Sequence, residues 1–92
     1  MSEFIKEFKR DMITMGTAFV ENESYDPYVL ETLICDRDNT VTYNADMYRD
    51  GTHYRATFRM CDREKFLKTS VEELEKMINA GIFYNTVEEE NE

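Results

Sequence analysis

Alternating hydrophobic and polar residues in the middle of the chain predict a β-hairpin. Asp50-Gly51 is a preferred pair for a two-residue hairpin turn, because both central positions of that turn take positive φ. Folding the flanking strands about this turn separates apolar pairs from polar pairs, so that pattern and turn chemistry indicate one register. The apolar pairs are Met47 with Tyr54, Ala45 with Ala56, Tyr43 with Phe58 and Val41 with Met60. The pairs on the opposite face are Tyr48 with His53, Asp46 with Arg55, Asn44 with Thr57 and Thr42 with Arg59.

A third strand is predicted upstream of the hairpin, over residues 29 to 35. This stretch is rich in apolar and β-branched residues, and turn-forming residues 36 to 39 join it to the hairpin. Pairing across that turn predicts a core face made of Leu30, Thr32 and Ile34. It leaves an outer face made of Val29, Leu33 and Cys35. Apolar residues on an outer face need cover or a partner.

Two helices flank the predicted strands. After Ser2, the apolar residues Phe4, Ile5, Phe8, Met12 and Met15 recur at spacings of three and four, and Gly16 is expected to end this helix. Farther along, Ser70-Val71-Glu72-Glu73 is a capping box, which predicts a helix with Ser70 as its N-cap. We expect Gly81 to end that second helix.

These elements predict an α+β fold, a three-stranded antiparallel meander with an N-terminal and a C-terminal helix, in the order α-β-β-β-α. Residues 1–87 are expected to form a single domain, followed by a disordered acidic tail at 88–92. Residues 17 to 20 fit either an extra edge strand or a loop, and residues 21 to 27 are expected to form an exposed loop.

Composition favours a small folded protein of the cytoplasm. The chain has 92 residues, of which 41% are hydrophobic, enough for one modest core. Its apolar runs are far shorter than the ~20 residues of a membrane span, and its first residues lack the apolar segment of a signal peptide. Two cysteines without a CxxC pair are typical of a reducing compartment.

Catalytic and metal-binding motifs are absent from the sequence. It contains no Walker loop, GxGxxG, GxSxG or HExxH, and the single histidine, His53, suits a surface contact better than acid–base work. Cys35 and Cys61 are expected two strand spacings apart, roughly 9–10 Å, which is too far for a disulfide. Asp36-Arg37-Asp38-Asn39-Thr40 lacks the glycine and glutamate of a calcium loop. We therefore expect no enzyme activity, cofactor or metal.

Charge gives the main indication of function. The formal net charge is −9, which favours a basic partner over nucleic acid or an anionic membrane. The excess lies in two blocks: residues 21 to 38 have six acids against Arg37, and residues 62 to 92 are also acidic, with a nearly neutral stretch between them. Tyrosines near these blocks would add contact area of the kind that carries protein interfaces. The predicted partner-binding residues are Glu21, Glu23, Asp26, Asp36, Asp38, Glu72, Glu73, Glu75, Tyr25, Tyr28 and Tyr48.

In length, acidity and expected α-β-β-β-α order the chain resembles the small phage-encoded anti-CRISPR proteins. The resemblance spans the whole chain and rests on architecture and charge, with no shared motif. It implies an inhibitor in the cytoplasm of a bacterial host, which presents carboxylates as a DNA mimic where a nuclease expects phosphate. Arg55 and Arg59 depart from this pattern, because a pure mimic has no need of a basic element on the exposed sheet face.

Two other functions fit the same sequence. An immunity protein against a nuclease toxin would be equally acidic. A homodimeric structural or regulatory module would bury the outer sheet face, with Val29, Leu33, Cys35 and Tyr48, against a second copy.

Overall fold

The computed structural model describes the backbone of residues 2–25 and 27–91 and the side chains of residues 3–25 and 27–82. The predicted α+β class, the antiparallel meander and the two flanking helices are confirmed, but the predicted number of three strands is too small. The elements in chain order are α1 (Ser2–Met15), β1 (Ala18–Ser24), β2 (Tyr28–Cys35), β3 (Thr40–Arg49), β4 (Thr52–Asp62), α2 (Arg63–Lys68), α3 (Val71–Asn85) and β5 (Thr86–Asn91).

The sheet is a meander in the order β1-β2-β3-β4-β5, in which every strand is antiparallel to its neighbours. α1 and α3 pack against the same face of this sheet, because their apolar stripes join its inward side chains in one hydrophobic cluster. Side chains at the centre of the cluster are fully buried and include Ile5, Phe8, Met12, Leu33, Tyr43, Phe66, Leu74 and Ile78. We call this side of the sheet the core face and the opposite side the outer face.

The β3–β4 hairpin has the predicted turn and register. Asp50 and Gly51 have φ of 50° and 76°, as a two-residue turn of this hand requires. Every predicted pair from Tyr48 with His53 to Thr42 with Arg59 is present. The predicted partner of Val41 is wrong, because the register shifts between Val41 and Thr42 and places Cys61, not Met60, opposite Val41. A bulge of this kind adds one residue to one strand and bends it locally.

The predicted facing of β2 is wrong by one residue. Cys35 pairs with Val41 rather than near Thr40, so Val29, Leu33 and Cys35 lie on the core face with Glu31. Leu30, Thr32 and Ile34 lie on the outer face. Because apolar residues occur on both faces of this strand, hydrophobicity alone does not predict which face is buried.

β1 begins in residues 17 to 20, which fit either an edge strand or a loop from sequence, and continues through residues 21 to 24. The prediction of a loop at residues 21 to 24 is wrong. β1 pairs with β2 from Ala18 opposite Cys35 to Ser24 opposite Val29. Ala18 and Val20 are buried, whereas Phe19 is 60% exposed, the reverse of what side-chain size suggests. Asn22 points inward because its amide donates to Glu31 Oε1 at 3.0 Å. Because the inward residues are small and the outward Phe19 is large, the sequence does not show the usual strand alternation of buried apolar and exposed polar residues.

The helix ends are partly as predicted. α1 ends before Gly16, which has φ of 83° and donates its N–H to the Met12 carbonyl at 2.9 Å. Ser70 caps α3 as predicted, because its hydroxyl accepts the Glu73 N–H at 3.2 Å. Gly81 does not end α3, which continues to Asn85. A Cβ at Gly81 would overlap the outer edge of the Phe58 ring, so the absence of a side chain at this glycine permits a close approach between helix and sheet.

The backbone of β5 runs antiparallel to β4 and includes residues from 88 onward, for which the sequence predicts a disordered tail. Strand addition to an open edge uses backbone N–H and C=O groups, and an acidic composition does not prevent it. No helix in the described part of the chain is long and apolar enough to cross a membrane.

Candidate protein-binding face

The outer face of the sheet lies opposite α1 and α3, and among the side chains that the structure describes, none on this face belongs to the hydrophobic cluster. The strand registers align its residues in cross-strand rows. One row is Glu23, Leu30, Asp46 and Arg55, and its neighbour is Tyr28, Tyr48 and His53. The two rows farther from the hairpin turn are Glu21, Thr32, Asn44, Thr57 and Phe19, Ile34, Thr42, Arg59.

Aromatic rings cross the outer face at the hairpin end. Tyr25 and Tyr28 have ring centroids 5.7 Å apart, and Tyr28 and Tyr48 have centroids 6.0 Å apart. Tyr48 then stacks on His53 at 4.4 Å with the two planes only 3° apart. Tyr25 and Tyr48 are 71% and 43% exposed, whereas His53 is buried. The series of rings therefore exposes Tyr25 and Tyr48 to solvent and ends at the buried ring of His53.

Glu23 accepts hydrogen bonds from two of these tyrosines. The Tyr25 hydroxyl donates to Glu23 Oε1 at 2.6 Å, and the Tyr28 hydroxyl donates to Glu23 Oε2 at 2.8 Å. These hydrogen bonds from Tyr25 and Tyr28 lower the pKa of the Glu23 carboxyl. The same bonds raise the pKa of Tyr25 and raise that of Tyr28 to about 12. At neutral pH the arrangement is an ionised carboxylate held by two neutral phenols.

Asp46 makes a second charged contact on the same face, one strand farther across. Its Oδ1 lies 2.9 Å from His53 Nε2 and 3.0 Å from Arg55 Nε. Burial alone would raise the pKa of Asp46, but the hydrogen bonds from Arg55 and His53 outweigh it and the pKa is lowered. The guanidinium of Arg55 thus offsets a carboxylate of its own chain.

The structure gathers only part of the predicted binding set. Glu23, Tyr25, Tyr28 and Tyr48 form one contiguous group, which we call the Glu23–tyrosine cluster, and Glu21 lies on the same face two residues before Glu23. Asp26 lies outside the described residues.

The remaining predicted acids lie elsewhere. Asp36 and Asp38 belong to the β2–β3 turn, at the far end of β2 from Tyr28, and Asp38 Oδ1 accepts the Thr40 N–H at 3.0 Å within that turn. Glu72, Glu73 and Glu75 belong to α3, which packs on the core face. No single surface therefore holds all the predicted acids.

Sequence reasoning missed Asp46 and His53 as neighbours of the tyrosines. The hairpin register already placed Tyr48 opposite His53 and Asp46 opposite Arg55, so that signal was present. The contact between Tyr28 and Tyr48 was hidden, because a one-residue error in β2 turns Tyr28 to the other face.

The thiols of Cys35 and Cys61 are neither paired in a disulfide nor activated as nucleophiles. Cys35 and Cys61 are free, as predicted, and flank Val41 on its two neighbouring strands. Burial raises the pKa of both thiols, which keeps them protonated and poorly nucleophilic. Within the described residues, no three His, Cys, Asp or Glu side chains are grouped so as to hold a metal ion.

Comparisons with protein-family models, with curated proteins and with solved structures found no match to this chain.

Proposed function

We propose that this chain is a non-catalytic binding protein that inhibits a basic, nucleic-acid-binding partner, such as a CRISPR nuclease or another nuclease of a bacterial cytoplasm. The observation that carries the proposal is the Glu23–tyrosine cluster on the outer face, in which an ionised carboxylate lies among three tyrosines, of which Tyr25 and Tyr48 are exposed. The chain would occupy a surface on which the partner binds phosphate, and the contact needs no cofactor.

Two properties support this function: the tyrosines of the outer face and the net charge of the chain. Tyrosine is enriched at protein interfaces, since one ring supplies large contact area together with a hydroxyl. A net charge of −9 steers the chain toward positive surfaces and away from phosphate. Arg55 weakens the mimicry little, because Asp46 lies 3.0 Å from it and offsets its charge.

The test is displacement of fluorescent duplex DNA from a guide-loaded RNA-guided nuclease, with a nuclease toxin domain as a second basic probe. We expect the wild-type chain to release DNA from one of them, and to do so less well as salt rises. Glu21→Lys with Glu23→Lys should weaken release about tenfold or more, chiefly through slower association. Release from the toxin domain alone would indicate an immunity protein.

Glu72→Lys with Glu75→Lys is the matched control, since it makes the same change in net charge on the opposite side of the sheet. Circular dichroism checks that both variants fold. Equal weakening by the two double variants would rule out the outer face as the site. If the wild-type chain displaces DNA from neither probe, the proposed inhibition is wrong.

A homodimeric module is a second candidate, favoured by the charge pattern of the outer face. Acids Glu21 and Glu23 lie on β1, and Arg55 and Arg59 lie on β4 in the same set of rows. A twofold axis parallel to the strands would set β1 of one copy over β4 of the other, opposing these charges. Sedimentation equilibrium distinguishes the candidates: a dimer that Glu23→Lys dissociates supports the module, and a monomer at all concentrations rejects it.

A further inference from the structure

The carboxylate of Glu23 retains acceptor capacity after binding both tyrosines. Each of its oxygens accepts one phenol hydroxyl, at 2.6 Å and 2.8 Å. An ionised carboxylate offers about four acceptor sites, so roughly two remain after these bonds. The two hydroxyls also fix the position of the group before any ligand arrives, which reduces the entropy lost on binding. Glu23 is therefore an oriented anion at the surface.

The rings around Glu23 are spaced and tilted so that their faces can take a cation. Tyr25 is tilted 54° from Tyr28, and Tyr28 is tilted 46° from Tyr48, so neighbouring rings do not cover one another. The centroid separations of 5.7 Å and 6.0 Å place the three rings side by side. A cation within about 6 Å of the centroid of a ring face that is open to solvent is attracted by that ring. On the far side, the stacked His53 ring occupies one face of Tyr48 and limits the cluster in that direction.

We propose that the Glu23–tyrosine cluster binds a single arginine side chain of the partner. The inference rests on the proposed function, because a basic partner supplies the residue, and it names the group that the cluster recognises. A guanidinium is planar and weakly hydrated, so it stacks on a tyrosine face while its N–H groups reach a carboxylate. A lysine ammonium is compact and strongly hydrated and gains less from stacking. Phosphate is disfavoured, since it would meet the Glu23 charge.

The experiment uses the full chain and small probes, without any partner. N-acetyl-arginine amide is titrated into protein with labelled tyrosine rings, and ring shifts are followed by NMR. Its neutral analogue, N-acetyl-citrulline amide, has almost the same shape and no charge. We expect saturable shifts confined to Tyr25, Tyr28 and Tyr48 with the arginine probe and none with the citrulline probe.

Two variants test the carboxylate. Glu23→Gln should weaken the apparent affinity for the arginine probe about two- to fivefold, the size of an exposed ion pair. Glu7→Gln removes an equal charge from an exposed position on α1, on the helical side of the sheet, and should leave the affinity unchanged. Equal shifts with citrulline, equal weakening by the two variants, or ring shifts caused by inorganic phosphate instead of arginine would each overturn the inference.

The probes separate this inference from the proposed function. If the cluster binds the arginine probe while the wild-type chain displaces DNA from neither nuclease, the arginine site stands and the inhibitory role fails. If displacement is weakened and the arginine probe causes no shift, the inhibitory role stands and the arginine site is wrong.

Discussion

Glu31 accepts a hydrogen bond from Tyr43 inside the core, at 2.7 Å between the tyrosine hydroxyl and Glu31 Oε2. Glu31 is only 8% exposed and Tyr43 is fully buried, so neither group has water as its main partner. Asn22 donates to the other carboxylate oxygen. Burial, followed by the bond to Glu31, raises the pKa of Tyr43. A buried carboxylate is thus satisfied by residues from β1 and β3.

We expect Tyr43→Phe to lower the free energy of unfolding by about 1–3 kcal/mol, because it leaves a buried acceptor short of its donor. Urea unfolding followed by circular dichroism measures the change. The control is Tyr25→Phe, which removes a hydroxyl from an exposed side chain and should leave the free energy of unfolding nearly unchanged. Equal effects of the two substitutions would contradict a structural role for the buried bond.

Gly81→Ala should destabilise the chain although alanine is the better helix former. Helix propensity alone predicts a gain of about 0.8–1 kcal/mol, whereas a Cβ overlapping the Phe58 ring forces repacking that costs about 1–3 kcal/mol. Thermal unfolding gives the sign of the change. Phe58→Leu in the Gly81→Ala background should recover part of the loss. A higher melting temperature for Gly81→Ala would show that helix and sheet do not approach this closely.

Ser70→Ala should destabilise the chain by about 0.5–2 kcal/mol, because the first turn of α3 loses the acceptor for the Glu73 N–H. Ser70→Asp keeps an acceptor at the same position and is expected to retain most of the stability. Chemical denaturation of both variants measures the difference. Identical losses for alanine and aspartate would mean that the cap contributes nothing.

The ionisation of Tyr28 should report directly on its bond to Glu23. That bond is the largest cause, followed by burial and the Glu23 charge, of the rise in the Tyr28 pKa from 10.0 to about 12. The stabilisation is therefore complete below pH 10 and is lost as pH rises through about 12. The Glu23 pKa is lowered, so the same contact weakens again when pH falls through that lowered value. Carbon-13 NMR of the Tyr28 ring should show the pKa returning toward 10.0 in Glu23→Gln and no change in Glu21→Gln.

The hairpin could be predicted from sequence because two independent signals coincide there. Asp50-Gly51 sets the turn, and the separation of apolar from polar pairs sets the register. β2 lacks that second signal, since apolar residues lie on both of its faces. The face that is buried carries Glu31, and its carboxylate accepts hydrogen bonds from Asn22 and Tyr43 on the neighbouring strands. These partners come from other parts of the chain, so the local pattern of β2 does not reveal them.

The sequence predicts which residues belong to the candidate site but does not predict that they contact one another. Glu23, Tyr25, Tyr28 and Tyr48 stand out from charge and residue type, but their contact depends on which way β2 faces. Acids in α3 belong to the same charge class yet lie across the sheet. Net charge per segment carries no information about the side of the fold on which a segment packs.

The strand order has a consequence for how the chain folds. Each strand pairs with the next one along the chain, so the sheet can assemble hairpin by hairpin, on the microsecond scale of about 1–10 μs for each hairpin. The slow step should be the packing of α1 against α3, because strands β1 to β4 separate these helices along the chain. The bond from Lys9 in α1 to the carbonyl of Thr69, just before α3, joins residues 60 positions apart. We expect the central hairpin to be structured in the transition state and the contact between α1 and α3 to form last.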